Sequence, residues 1–234
     1  MSRLRPVLAL LSVLVALTSC TQDKPNTNGN QAVGNLPAGD ALLKESAAAM
    51  RDIKTAQFLI TAEGAVAGLN LRRAEGTLTR EGSAKGTAQI DQDGLNVELA
   101  FVIVGDKIYL KGPTGGYQTL PLALAATVYD PSAILDPDRG IAKVLGAATE
   151  AQTEASESVD GRAAWRVAAT VTAADLVTIV PGVTGSVPAK MWISTTDKRL
   201  LKAAFTLPGV GDAKGATVTV TFKEFDAPAT ISAP

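Results

Sequence analysis

The sequence predicts an α+β fold, in which one long antiparallel meander carries a few helices. Three observations carry that reading. After Lys54 most of the chain alternates apolar and polar residues with period two, the period of a half-buried strand. The breaks between alternating runs hold Asp93-Gly94, Gly105-Asp106 and Asp160-Gly161, residue pairs that suit tight turns. No stretch shows the strand–helix–strand spacing of a parallel sheet.

The chain opens on a secretory pattern. Arg3 and Arg5 precede an apolar run from Val7 to Leu17, which small residues follow. That run is too short to span a bilayer, which needs about 20 apolar residues. Leu17-Thr18-Ser19-Cys20 resembles the bacterial lipobox. The resemblance implies a diacylglyceryl group on the Cys20 sulfur and cleavage that makes Cys20 the first residue, its new amine open to acylation. Two or three acyl chains anchor stably where one is marginal. The alternative is a secreted protein whose Cys20 is incidental. The expected organisation is a signal over 1–19, an acylated Cys with a polar tether over 20–37, and one domain over 38–234. Thr21 to Pro37, rich in Asn, Gly and Pro, is expected to be disordered and to reach roughly 20–25 Å on average.

The domain is expected to begin with a helix from about Ala41 to Ile53. Asp40 would be its N-cap, and Leu43, Ala47, Met50 and Ile53 its apolar face. Strands are predicted at Ala56–Glu63, Leu69–Thr79, Lys85–Asp91, Leu95–Val104 and Lys107–Lys111. Val97, Leu99, Phe101 and Ile103 share one face of their strand, and a sheet with one apolar face must cover it. The expected cover is Pro121 to Gly146. Asp130-Pro131 and Asp136-Pro137 each read as an N-cap followed by Pro at the first helical position, opening helices Pro131–Leu135 and Pro137–Leu145. A moving lid and a static cap are both open readings of this segment. Strands resume at Ala151–Val159 and Ala163–Thr172. A helix follows over Ala173–Val180, then strands at Ala189–Ser194, Leu200–Leu207 and Ala216–Phe225. The expected total is about ten strands with three or four helices.

Composition excludes several functions. There is no histidine, and Cys20 is the single cysteine. A Ser-His-Asp triad, a Cys-His dyad and an imidazole metal site are therefore ruled out. No disulfide can form within the chain. The chain has no GxSxG, P-loop or GxGxxG motif, so no cofactor and no catalytic residues are assigned. Removal of Arg3 and Arg5 with the signal leaves 20 Lys and Arg against 23 Asp and Glu, a net charge of about −3. Nothing there favours nucleic acid. Alanine is the commonest residue, 39 in all, while aromatics are only 4%. Small side chains on a sheet leave room between facing surfaces, though a high-GC genome would also favour Ala and Gly.

The order of elements and several motifs resemble the mycobacterial LppX/LprAFG lipoproteins, LprG-like members above all. The motifs are Val128-Tyr129-Asp130-Pro131, Leu135-Asp136-Pro137-Asp138 with Gly140, and Val187-Pro188-Ala189-Lys190-Met191-Trp192-Ile193. The resemblance implies a curved antiparallel half-barrel with helices packed in its concave side, similar to the LolA and LolB carriers. It implies a hydrophobic cavity for a triacylated lipid: triacylglyceride, phosphatidylinositol mannosides, lipomannan or lipoarabinomannan. It further implies work with a major-facilitator exporter, anchorage on the outer side of the plasma (inner) membrane with some protein in the cell wall or secreted, and presentation of glycolipid to host Toll-like receptor 2.

A carrier needs a dry surface with few hydrogen-bonding groups and a wet mouth for the head group. Strand parity nominates Ala88, Ile90, Val97, Leu99, Phe101, Val167, Ala169, Met191, Phe205, Val218 and Val220 as its lining. Trp165 and Trp192 read as core. Glu150, Glu154 and Glu157 read as a solvated strand edge. Arg72-Arg73 reads as a surface hairpin, with phosphate head groups as the sharper alternative. Three function classes follow. The first is a lipid carrier. The second is a surface interaction lipoprotein with a solid core, and the third an enzyme working through carboxylates.

Overall fold

The computed structural model describes residues 36–64, 70–92, 94–125, 131–180, 183–209 and 215–234. The leader, Cys20, most of the tether and the Val128-Tyr129-Asp130 motif lie outside the described residues. Asn35–Pro234 forms one compact unit.

Helix α1 (Gly39–Arg51) comes first. Six strands follow: β1 (Thr55–Glu63), β2 (Leu71–Thr79), β3 (Ala84–Gln92), β4 (Leu95–Val104), β5 (Lys107–Lys111) and β6 (Gln118–Pro121). The connection to the second half carries α2 (Leu122–Ala125), a 3₁₀ turn (Pro131–Leu135) and α3 (Ile141–Ala147). Then come β7 (Thr149–Val159), β8 (Arg162–Thr172), α4 (Ala173–Leu176), β9 (Ser186–Ser194), β10 (Leu200–Leu207) and β11 (Ala216–Lys223). The strands form one curved, open, antiparallel sheet ordered β6-β5-β4-β3-β2-β1-β11-β10-β9-β8-β7. The first and last strands pair in its middle, Gln57–Glu63 against Lys223–Thr217. Two meanders are thereby locked into one surface with a single register.

Because side chains alternate across a strand, that register lines residues up in rows. One row runs Val167, Met191, Ala203, Val220, Ile60, Ala74, Ala88, Leu99 across β8 to β4. A second carries Ala169, Ala189, Phe205, Val218 and Ala62, and resumes past a bulge in β2 with Ile90 and Val97. A third runs Phe222, Phe58, Gly76, Gly86, Phe101, Leu110. The helices pack on this face: Leu42, Leu43 and Met50 of α1, Ile141, Val144 and Leu145 of α3, and Leu176 of α4 join the same buried cluster. Each large apolar side chain buried in this way contributes about 1.5–3 kcal/mol.

The glycine pair in the third row has a steric cause. A Cβ on Gly76 would land on the Lys85 carbonyl oxygen, and one on Gly86 on the Glu75 carbonyl oxygen. The β2 and β3 backbones approach too closely on the inner face for any side chain. Such an approach accompanies a sharp local bend of the sheet.

One end of the sheet is stapled by polar groups. Arg80 donates from its Nε to the Ile53 carbonyl at 2.9 Å and from its guanidinium to the Arg51 carbonyl. The Lys54 N–H donates to Asp226 at 2.9 Å, and Arg199 pairs with Asp226 at 2.6 Å. Arg162 and Arg199 both stack on Phe225.

Several sequence expectations are corrected. Helix α1 starts at Gly39 with Ala38 as N-cap, and Asp40 lies in its first turn. Gly39 presses on the β7 backbone at Ala151, where a Cβ would sit 2.6 Å from the carbonyl, and this contact fixes the start. Asp136-Pro137 does not open a helix. Its carboxylate accepts the N–H groups of Asp138 (2.9 Å) and Arg139 (3.0 Å) in a turn, and α3 begins only at Ile141. Gly140 is required there, since a Cβ would strike the carbonyls of Ile134, Ala133 and Asp136. Strand β6 escaped prediction. It has four exposed residues ending in Pro, so it offers no alternation. Helix α4 stops at Leu176 rather than Val180.

Three outcomes are expected from this fold. Gly76→Ala should lower the unfolding free energy by about 1–3 kcal/mol in a denaturant titration, because backbone has to move. The Ser46 hydroxyl, buried on α1, has no hydrogen-bond partner among the described residues. Ser46→Ala should therefore raise stability by up to about 1 kcal/mol. For Asp136, burial pulls the carboxyl pKa up. The Arg139 guanidinium and the two turn N–H groups outweigh it and leave the pKa below 3.8. The folded value is thus depressed, so the stabilisation is complete above the unfolded value and is lost as pH falls through the folded one. The melting-temperature gap between wild type and Asp136→Asn should be full at pH 6 and shrink below about pH 4.

Candidate lipid-binding site

All eleven residues nominated as lining fall on the three inner rows, because one register governs every strand. Their accessibility divides them. Val167, Met191, Phe205, Val218 and Val220 are buried to 0–1% exposure, and Ala169 is nearly so. These six residues belong to the core buried beneath the helices. Ala88, Ile90, Val97 and Leu99 remain partly exposed. Leu110 and Leu122, which sequence reasoning missed, share that partial exposure and pack beside the same cluster.

The exposure is graded along β4. Ile103, near the stapled end, is 0% exposed and Phe101 6%; Leu99 and Val97 are partly exposed, and Leu95 at the hairpin tip reaches 71%. On β3, Ala84 is sealed while Ala88 and Ile90 are partly open. An apolar strip on the inner face therefore becomes steadily more exposed from Phe101 to the β3–β4 tip, and it is the candidate trough for acyl chains. Its described walls are hydrocarbon, which suits acyl chains and supplies no hydrogen bond for a head group.

The segment expected to cover the sheet behaves as two parts. Helix α3 is built into the core through Ile141, Ala142, Val144 and Leu145. Helix α2 is tied to the β4–β5 turn by the Leu122 N–H, which donates to the Asp106 carbonyl at 2.7 Å. Residues 126–130 between them lie outside the described residues.

The outer face is polar. A cleft of about 380 Å³ opens there beside Gln57, Leu59, Arg73, Glu75, Thr77 and Lys223. Its charges make it a poor home for acyl chains. Trp192 also lies on that face. Its Nε1 donates to Glu157 at 2.6 Å, and Lys202 sits 4.5 Å from its ring centroid. Arg166 pairs with Glu154 at 2.8 Å and with Glu157. Trp192 thus ties β7 to β10 from outside, whereas Ile193 lies in the inner core and Trp165 packs half-buried against it. Glu154 and Glu157 belong to this clamp on edge strand β7, and the Glu150 carboxylate accepts the Thr170 hydroxyl proton at 2.8 Å. Arg72 and Arg73 are committed to carboxylates, Asp91 at 2.8 Å and Glu75 at 2.7 Å. Among the described residues no group of three or more His, Cys, Asp or Glu could hold a metal ion. No helix among them is long and apolar enough to cross a membrane.

Comparison with known proteins agrees with this architecture. The Mycolicibacterium smegmatis lipoarabinomannan carrier protein LprG is 32% identical over 235 residues, spanning 97% of this chain and 93% of its own. The crystal structure of LprF from Mycobacterium bovis superposes with a TM-score of 0.72 at 24% identity, over 84% of this chain and 96% of that one. That of Mycobacterium tuberculosis LppX gives 0.62 at 19% identity, over 82% and 97%. These two likenesses establish the fold. The LppX_LprAFG lipoprotein family model matches residues 38–231, that is, α1 and all eleven strands, and the chain belongs to that family.

Proposed function

We propose that this protein is a membrane-anchored, non-enzymatic lipid carrier whose cargo chains enter the apolar trough on the inner face of β3 to β5. The observation that carries the reading is the graded exposure along β4, from sealed Ile103 to open Leu95, on a face that is otherwise core. A solid-core interaction protein would gain nothing by leaving Ala88, Ile90, Val97 and Leu99 partly wet. Exposed apolar surface on a soluble face is otherwise a liability. Family membership and the carrier name of the Mycolicibacterium smegmatis relative support the same conclusion. Triacylated lipids and glycolipids, including triacylglyceride, phosphatidylinositol mannosides, lipomannan and lipoarabinomannan, are the cargo class we infer. The cargo's head group would remain at the wet tip. Cys20 would hold the domain at the outer side of the plasma membrane. There the carrier would hand cargo from, or to, a major-facilitator exporter, and released glycolipid would reach Toll-like receptor 2.

The carrier reading is tested by native mass spectrometry of the protein purified from a host that makes the candidate lipids. Extra mass removable by organic solvent and fragmenting as a triacylated species is expected. A bare mass that persists after incubation with triacylglyceride and with phosphatidylinositol mannoside would favour the solid-core protein. A pair of variants locates the site. Ala88→Trp fills a partly exposed position and should cut lipid loading severalfold while the domain stays folded. Val167→Trp overpacks a sealed one and should cost about 1–3 kcal/mol of stability.

A further inference from the structure

We propose that the β3–β4 hairpin tip, led by Leu95, docks on the surface of a lipid bilayer, so that acyl chains pass between membrane and trough without crossing water. The inference rests on the anchored-carrier reading and adds an orientation to it.

Leu95 is 71% exposed, the most exposed large apolar side chain among the described residues. It stands where the sheet protrudes. Strand β5 pairs only with Ala100–Val104, so Leu95–Leu99 extend past it with β3 as their strand partner. Behind Leu95 the partly exposed Val97 and Leu99, with Ile90 and Ala88 across the hairpin, continue the apolar surface inward. A chain lifted at the tip therefore meets hydrocarbon at each step.

The tip sequence is acidic, with Asp91, Asp93 and Glu98, and one of these charges is paired. Asp91 is held by Arg72 at 2.8 Å and also accepts the Gly94 N–H at 2.9 Å. The opposite end is the stapled one, where Arg80, Arg162, Arg199, Asp160, Lys223 and Asp226 cluster around the turns. Taking that many charged groups out of water would be costly, so the Leu95 end suits a bilayer better.

The chain's arrival fits. The Pro37 carbonyl accepts the Thr153 hydroxyl proton at 2.6 Å, and Gly39 abuts Ala151. The domain is thus rooted on the half of β7 that begins at Thr149, the same end of the sheet as the β3–β4 tip. Fifteen residues lie between Cys20 and Leu36, a contour of at most about 58 Å. An anchor at Cys20 therefore keeps the tip within reach of the membrane.

The test uses the full acylated protein reconstituted in vesicles of phosphatidylglycerol and phosphatidylethanolamine. Leu95→Cys and, at the stapled end, Glu81→Cys each receive one polarity-sensitive fluorophore. Acylated Cys20 cannot react, so a second label per chain would mean that the anchor is absent. That outcome removes the anchored reading on which the docking proposal rests. With one label per chain, blue-shifted emission at position 95, quenched by lipids carrying a nitroxide in the acyl region, is expected. Position 81 should stay water-like. Equal behaviour at both positions, or quenching at 81 alone, would overturn the docking surface. It would leave the carrier reading intact wherever lipid still co-purifies. Leu95→Asp, a change at an exposed site, should keep the melting temperature and slow vesicle-to-protein lipid transfer about tenfold. Unchanged transfer in that variant would equally overturn the proposal.

Discussion

The pairing of β1 with β11 is the interaction on which the rest of this structure depends. Each meander alone could slip its register, since local turns hold only neighbouring strands. Pairing the first strand with the last sets both meanders in one frame. With a side-chain period of two, a slip by one residue there would turn every inner row outward. Ile60 facing Val220, and Ala62 facing Val218, are the contacts that a slip would lose.

One inner face then has to serve two incompatible purposes. It must exclude water to hold the fold, and on the proposed carrier reading it must also stay open enough to admit cargo. The structure separates these in space. Helices α1, α3 and α4 seal the face over β8 to β11, where Phe205, Met191 and Leu200 supply bulk. Over β3 and β4 the inner-face side chains of Ala88, Ile90, Val97 and Leu99 stay partly exposed. The Gly76–Gly86 close approach lies between the two regions, with Phe58 on one side and Phe101 on the other.

Most of the strands were legible in the sequence because alternation is a local signal. The runs Leu95–Val104 and Leu200–Leu207 were read with the bounds they have in the structure. What failed was what depends on partners distant in sequence. Gly39 starts α1 because of β7, more than a hundred residues on, and Asp40 looked like the cap only in isolation. Asp136-Pro137 carries a helix-start pattern, yet its carboxylate is spent on a turn beside Arg139. Parity assigned the inner face correctly for all eleven nominated residues. It could not tell sealed from open, because sealing is done by helices whose docking sites no sequence period reveals. The division between Met191 and Val97 is therefore a tertiary fact. Leu110 was missed because β5 is too short to show its parity clearly.

The open trough has an energetic logic that sets the scale of the whole device. Burial is worth about 0.8 kcal/mol per CH₂, so a chain of about fifteen methylenes exposed to water costs roughly 12 kcal/mol. A carrier that released its cargo into water would face that cost for each chain. A carrier that bound chains far more tightly than the bilayer does could not let go. The workable regime is near-equal affinity, which plain hydrocarbon walls supply and buried hydrogen bonds would spoil. On the proposed docking, the grading along β4 answers this in geometry, since successive methylenes would exchange membrane for protein one at a time. The walls of Ala, Val, Ile and Leu match the bilayer interior in kind, so each step is nearly neutral in free energy. Direction must then come from outside the trough, through head-group contacts at the tip or the concentration of lipid on either side.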